Sequence, residues 1–176
     1  NCSAMLVTAL DEIVWLLNVR ASDVAYNPVA LSYLLVTWDK AVWYVDKAGE
    51  KSPVTAETYA ELEEDGVEIR SYDAVFEELA SPEALNFTAL YADPSTLNWH
   101  LSRVLDGISD RIRLSMGASP VPLRKSVKNA VEIEGMRSAH FEDGIVMENF
   151  LFWLENTVTS GAAIDERDAD CKPDSM

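Results

Sequence analysis

The sequence predicts an α/β fold: a mixed sheet flanked by helices, followed by one long C-terminal helix. Three observations lead there. Strand-like and helix-like segments alternate from residue 3 to residue 118, with one hairpin among them, the pattern of a layered α/β domain. Residues 30–38 are apolar almost throughout, as expected of a central strand covered on both faces. From Val131 to Val158 apolar residues recur at helical spacing.

The elements follow in order. Met5, Leu6, Val7, Thr8 and Ala9 form a short apolar run with β-branched members and read as the first strand. Asp11 opens the next element, where Ile13, Val14, Trp15, Leu16 and Leu17 read as a short buried helix. Residues 18–28 are rich in turn formers, and Pro28 drives Asn27 toward extended geometry. After the central strand, Asp39 and Lys40 read as a tight turn, and residues 41–46 return as the second arm of a hairpin.

Ser52 and Pro53 are expected to open a helix, with the proline at the first helical position, where its missing N–H costs nothing. Residues 55–65 continue it, with Tyr59 and Leu62 inward and Glu61, Glu63, Glu64 and Asp65 in water; Gly66 stops it. Val67 to Arg70 alternates as a strand. Asp73 caps a short helix carrying Val75, Phe76 and Leu79. Residues 87–91 read as a strand, and Asp93, Pro94, Ser95 and Thr96 as the start of a helix through Leu97, Trp99 or Leu101, Val104 and Leu105. Residues 111–116 form the last strand, ended by Gly117. Crossovers between parallel strands should be right-handed.

Ser119, Pro120, Val121 and Pro122 read as a stiff connector, so the first domain is assigned to residues 3–118. Residues 119–158 hold the connector and a long helix, broken near Asn129 and weakened by Gly135 and Gly144 by about 1 kcal/mol each relative to Ala. Residues 159–176 form an acidic tail without periodicity, expected to be solvated and mobile.

Composition narrows the function classes. Of 176 residues, 30 are acidic and 14 basic, a net charge of −16. So negative a surface repels phosphate, which argues against nucleic acid and anionic membranes as partners. Mean hydropathy is −0.04, and no apolar run approaches the roughly 20 residues that span a bilayer. Cys2 and Cys171 stand near opposite ends with no CxxC and no Cys/His cluster, which argues against a disulfide framework or a structural zinc site. Two free thiols fit a reducing compartment, so a cytoplasmic or organelle-matrix location is expected. A chain starting at Asn1 reads as a processed or excised piece.

No GxxxxGK[ST], GxGxxG, GxSxG or HExxH occurs. His100 and His140 have no neighbour at metal-ligand spacing, and the acidic run 61–65 reads as a solvated helix face. The five Trp residues are expected mostly on apolar faces, as core or interface anchors. Only the loop 18–28 concentrates chemistry: Arg20, Ser22, Asp23, Tyr26 and Asn27 lie between a buried helix and a buried strand. Loops at strand ends of open α/β sheets form ligand crevices. Either Arg20 and Asp23 pair to order the loop while Asn27 bonds its own backbone, or these side chains meet a ligand.

This loop carries a family resemblance. Residues 8–29, from Thr8-Ala9-Leu10-Asp11-Glu12-Ile13 through Leu17-Asn18-Val19-Arg20-Ala21-Ser22-Asp23 to Tyr26-Asn27-Pro28-Val29, resemble the middle domain of the three-domain aminopeptidase P enzymes, the Xaa-Pro aminopeptidases. That domain has the creatinase/prolidase N-terminal-like fold. Separately, Val127-Lys128-Asn129-Ala130 through Glu134-Gly135-Met136-Arg137 to His140 resembles the segment opening the pita-bread catalytic domain, and Phe152-Trp153-Leu154-Glu155 the close of its first helix. Asp93 to Trp99 falls where the family has a similar stretch.

The resemblance implies a metallopeptidase that removes an N-terminal residue preceding proline, using two metal ions, usually manganese, held by two Asp, one His and two Glu in the catalytic domain. Those ligands lie downstream of the helix ending near Glu155, so none is carried onto this chain: no catalytic and no metal-binding residue is assigned. Residues 119–158 then correspond to a connector and the first helix of a truncated pita-bread domain. Departures are Ala21 in place of Gly, Ala30 in place of Phe, Glu142 and Gly144 after the helix His, and residues 164–170, which do not resemble the family continuation.

Two functional expectations result. The first is a non-catalytic structural or assembly subunit, binding a protein partner or itself through the 131–158 helix, with Phe150, Phe152, Trp153 and Leu154 at the interface. The alternative is a fragment of an active metal-dependent Xaa-Pro aminopeptidase, whose substrate-approach loop carries Arg20, Asp23, Tyr26 and Asn27.

Overall fold

A computed structural model describes residues 2–47, 53–81 and 86–172. The chain divides into two compact units, Asn1–Ser126 and Val127–Met176.

The first unit is a six-stranded mixed sheet with helices on both faces. Strands β1 (Ala4–Val7), β2 (Ser32–Thr37), β3 (Ala41–Val45), β4 (Val67–Arg70), β5 (Ala89–Ala92) and β6 (Arg113–Met116) lie in the order β4-β3-β2-β1-β5-β6. β2 runs antiparallel to both β1 and β3, and the remaining neighbours are parallel. Burial of β2 on both faces follows the apolar run: Tyr33 and Leu35 enter one core and Leu34 the other. Helices α3 (Ala74–Ala80) and α4 (Trp99–Ile108) cover the first face through Val75, Leu79, Leu101, Leu105 and Ile108. Helices α1 (Leu10–Leu16) and α2 (Ala56–Glu64) cover the second through Ile13, Val14, Tyr59 and Leu62.

The hairpin forms where expected. The Thr37 N–H donates to the Lys40 carbonyl at 2.8 Å, and the Thr37 hydroxyl donates to Asp39 Oδ1 at 2.6 Å. Gly66 ends α2 at φ +87°, which only glycine adopts without strain.

Several local expectations are corrected. Pro53 does not open α2. Thr55 is the N-cap, its hydroxyl accepting from the Thr58 N–H at 3.2 Å, and Ser52 lies outside the described residues. Asp93 does not start α4. Its Oδ1 accepts from the Ser95 N–H at 2.9 Å in a local turn, and Asn98 caps the helix by accepting from the Leu101 N–H. Asp73 occupies the N-cap of α3 without a side-chain cap bond. Residues 121–122 are helical rather than a stiff connector: α5 spans Val121–Ser126, with the proline in its first turn, where no N–H is needed. Of the five tryptophans only Trp43 is core, at 0% exposed, whereas Trp38 and Trp99 stand in solvent.

The second unit is built on α6 (Ala130–Thr159), 30 residues long. Its start explains the break near Asn129. The Asn129 side chain accepts from the Glu132 N–H at 2.9 Å, and Glu132 Oε2 accepts from the Asn129 N–H at 2.8 Å, a reciprocal capping box. No described residue of α6 is buried. The tail is not featureless: after Gly161 (φ +78°), α7 (Glu166–Cys171) forms behind Asp165, which caps it in the same reciprocal way with Asp168. Lys172 lies over the Trp153 ring, 5.6 Å from its centroid.

Candidate functional site

The loop 18–28 is shaped by backbone. Past α1, Asn18 adopts φ +52°, a left-handed conformation that asparagine tolerates, and turns the chain so that Val19 N–H donates to the Val14 carbonyl at 2.9 Å. Val19, Val29 and Ala30 anchor the two ends in the second core. The Ala21 N–H donates to the Pro28 carbonyl at 3.3 Å, closing the base. At the tip, the Asn27 N–H donates to the Val24 carbonyl at 3.2 Å, with Tyr26 at φ +60°. That is a turn whose third residue ordinarily favours glycine.

The four singled-out residues share this loop but do not bond to one another as a pair. Arg20 Nη1 donates to its neighbour's carbonyl at Val19 (3.0 Å), and Asp23 Oδ2 accepts from the Leu31 N–H (2.8 Å). The expected Arg20–Asp23 pairing is therefore replaced by two separate side-chain-to-backbone bonds. Asn27 contributes backbone, its carbonyl accepting from the Val29 N–H at 2.8 Å. Tyr26 is fully exposed at the tip. A non-glycine residue in this left-handed region costs on the order of 1 kcal/mol. Ala21 is not among the left-handed residues, so alanine in place of glycine adds no left-handed strain at that position.

On the second unit, Phe152 is 71% exposed, with Val131, Phe141 and Val158 also exposed along α6. Phe150 and Trp153 are half-buried and in ring contact at 5.9 Å, and Leu154 is half-covered beside Ile164 and the start of α7. The four residues assigned to one interface thus divide: Phe152 faces water, while the other three are partly covered within their own unit.

Both histidines are engaged locally. His100 stacks on Phe76 with ring centroids 4.1 Å apart, and His140 Nδ1 lies 2.8 Å from the Met136 carbonyl oxygen. Among the described residues no group of three or more His, Cys, Asp or Glu could hold a metal ion, and no helix is long and apolar enough to cross a membrane.

A second polar cluster escaped the sequence reading. At the carboxyl ends of the parallel strands, Glu12 is only 6% exposed and accepts from the Ser119 hydroxyl at 2.5 Å. Asp93 Oδ2 accepts from the Ser119 N–H at 2.7 Å. The Ser95 hydroxyl, then the N–H groups of Ser119 and Ser95, all donate to Asp93 and hold its carboxyl below the ordinary range. The Glu12–Ser119 pair spans 107 positions of chain, so no local pattern in the sequence marks it.

Comparison with known proteins agrees with this architecture. Residues 1–132 match the profile of the Creatinase/Prolidase N-terminal domain. Among curated relatives, a probable Xaa-Pro aminopeptidase P of Podospora anserina is 41% identical over 179 residues, covering 96% of this chain and 25% of its own length. Another, from Leptosphaeria maculans, is 40% identical, covering 93% of this chain and 27% of its own. This chain spans about a quarter of such relatives.

The crystal structure of X-prolyl aminopeptidase from Caenorhabditis elegans, described as a cytosolic enzyme with a di-nuclear active site, superposes with a TM-score of 0.82 at 30% identity over 99% of this chain and 28% of that one. A Xaa-Pro dipeptidase from Bacillus anthracis, 15% identical with a TM-score of 0.60, shares the fold. The chain belongs to the creatinase/prolidase N-terminal domain family.

Proposed function

We propose that this chain is the non-catalytic, substrate-approach portion of a metal-dependent Xaa-Pro aminopeptidase, an enzyme that removes N-terminal residues preceding proline. The observation carrying this reading is the superposition of nearly the whole chain on about a quarter of an enzyme with a di-nuclear active site. The described residues of this chain offer no metal-capable cluster of their own, so they do not fit the two metal ions. The metals, manganese in this reading, would sit in the part of the enzyme that this chain does not match. The loop residues Arg20, Asp23, Tyr26 and Asn27 would then guide the peptide toward that centre, in the cytoplasm or an organelle matrix.

Two assays test it. The chain alone, with Mn²⁺ and an Xaa-Pro peptide, should show no turnover; turnover would overturn the non-catalytic assignment. A chimaera in which this chain replaces the matched quarter of the Podospora enzyme should cleave Xaa-Pro peptides, and Tyr26→Ala in it should raise KM more than it lowers kcat. A folded chimaera whose kinetics ignore Tyr26 and Arg20 would sink the loop's role.

A second reading rests on the exposed apolar residues of α6: an assembly subunit that binds itself or a protein partner through Phe152 and its neighbours. It expects concentration-dependent dimerisation in sedimentation that Phe152→Asp abolishes. A monomer at micromolar concentration rejects self-association.

A further inference from the structure

We infer that residues 117–126 form a releasable strap, tied to the carboxyl ends of the sheet by side chains, that opens as a unit before the sheet does. The last ladder-like bond of this stretch is from the Gly117 N–H to the Ala92 carbonyl, at 3.1 Å. Beyond it the ties change character. The Tyr91 hydroxyl donates to the Ala118 carbonyl at 2.7 Å, Asp93 accepts from the Ser119 N–H at 2.7 Å, and Glu12 accepts from the Ser119 hydroxyl at 2.5 Å. At the far end, Lys125 Nζ pairs with Asp11 Oδ2 at 2.5 Å. Between these ties only Val121 is buried.

Gly117 is part of the device. A Cβ there would meet the Tyr91 hydroxyl at 2.6 Å, so glycine is what lets the phenol close over the strap. A six-residue helix is too short to persist unaided, so α5 exists only while these ties hold. Segments held by few apolar contacts and exposed polar bonds open locally, below the free energy of global unfolding.

Opening has a defined consequence. α5 belongs to the first unit, and α6 begins at Ala130 behind its Asn129 cap. With the strap closed, residues 127–129 join α5 to α6; with it open, chain outside regular structure runs from residue 117 to residue 129.

The test uses the full 176-residue chain. Native-state hydrogen exchange should show strap amides exchanging through openings that leave β1 and β5 protected. Ser119→Ala, which removes the donor to the buried Glu12 carboxylate, should raise strap exchange and trypsin cleavage after Arg124 and Lys125 about tenfold, since bonds to charged groups are the stronger class. Gly117→Ala, which displaces Tyr91, should act in the same direction by a different route. In both variants the β1 and β5 amides should keep wild-type protection. Strap and sheet amides exchanging together in the wild type would overturn the proposal. So would a less than twofold change in cleavage for both variants.

Discussion

Tyr44→Phe isolates one buried tie between the sheet and α3. Tyr44 is 0% exposed, and its hydroxyl donates to Glu78 Oε2 at 2.8 Å. Arg70 Nη1 reaches the same oxygen at 2.5 Å, and Arg70 also pairs with Glu68. The substitution removes only the hydroxyl and leaves the ring filling the core. A hydrogen bond to a charged acceptor contributes roughly 1.5–3 kcal/mol. Glu78 keeps Arg70 and is partly open to water, so the loss belongs at the low end, about 1.5 kcal/mol. In a domain of this size that lowers Tm by roughly 3–6 °C.

The pH dependence is a second signature. Burial, reinforced by the bond to Glu78, holds the Tyr44 phenol well above the ordinary tyrosine range. In the unfolded chain it ionises near pH 10. Above that pH the unfolded state has lost a proton that the folded state keeps, so the phenol's contribution is full below pH 10 and declines as pH rises. One such group steepens the decline by up to about 1.4 kcal/mol per pH unit. Tyr33, raised in the same direction by burial and then by its bond to Tyr72, remains in the variant. Urea denaturation followed by near-ultraviolet circular dichroism, at pH 7 and then from pH 9.5 to 11, measures both effects. A variant as stable as wild type at pH 7, with a parallel alkaline decline, would refute the argument.

Other substitutions probe the remaining determinants. Gly66→Ala meets no atom within 4 Å, so its cost is backbone strain at φ +87° alone, about 1 kcal/mol in urea denaturation. Asn129→Ala removes half of the capping box and should cost α6 about 1 kcal/mol, read as loss of exchange protection confined to its first turn. Tyr26→Gly relieves a left-handed backbone and should stabilise the first unit by up to about 1 kcal/mol in thermal denaturation; in the active chimaera the same change should raise KM.

Legibility followed the range of the interactions. Strand β2 was readable because burial on both faces leaves no polar alternation, and α2, β4 and the Asn129 break because their signals lie within one or two turns of chain. The α4 start was misplaced because Asp93 and Asn98 are both good caps; the Asp93 side chain is committed to Ser95 and Ser119 instead. Pro122 read as part of a stiff connector, yet the first turn of a helix has no use for the N–H it lacks. In the loop, the residues were identifiable from composition, but the bonds of Arg20 and Asp23 to the backbone were not, since either residue could equally have chosen the other.

The sequence by itself determined the α/β class, the order of elements and the family, because hydrophobic period, capping and a matched run of residues are local properties of the chain. Only the tertiary structure decided which residues with the same local appearance face inward. Trp43 is core while Trp38, five residues before it, stands in water, because the hairpin turn lifts Trp38 off the sheet. Glu12 is buried and Ser119 is its partner only because the carboxyl ends of the parallel strands meet there. Contacts across that many residues are set by how layers pack, and no local pattern encodes them.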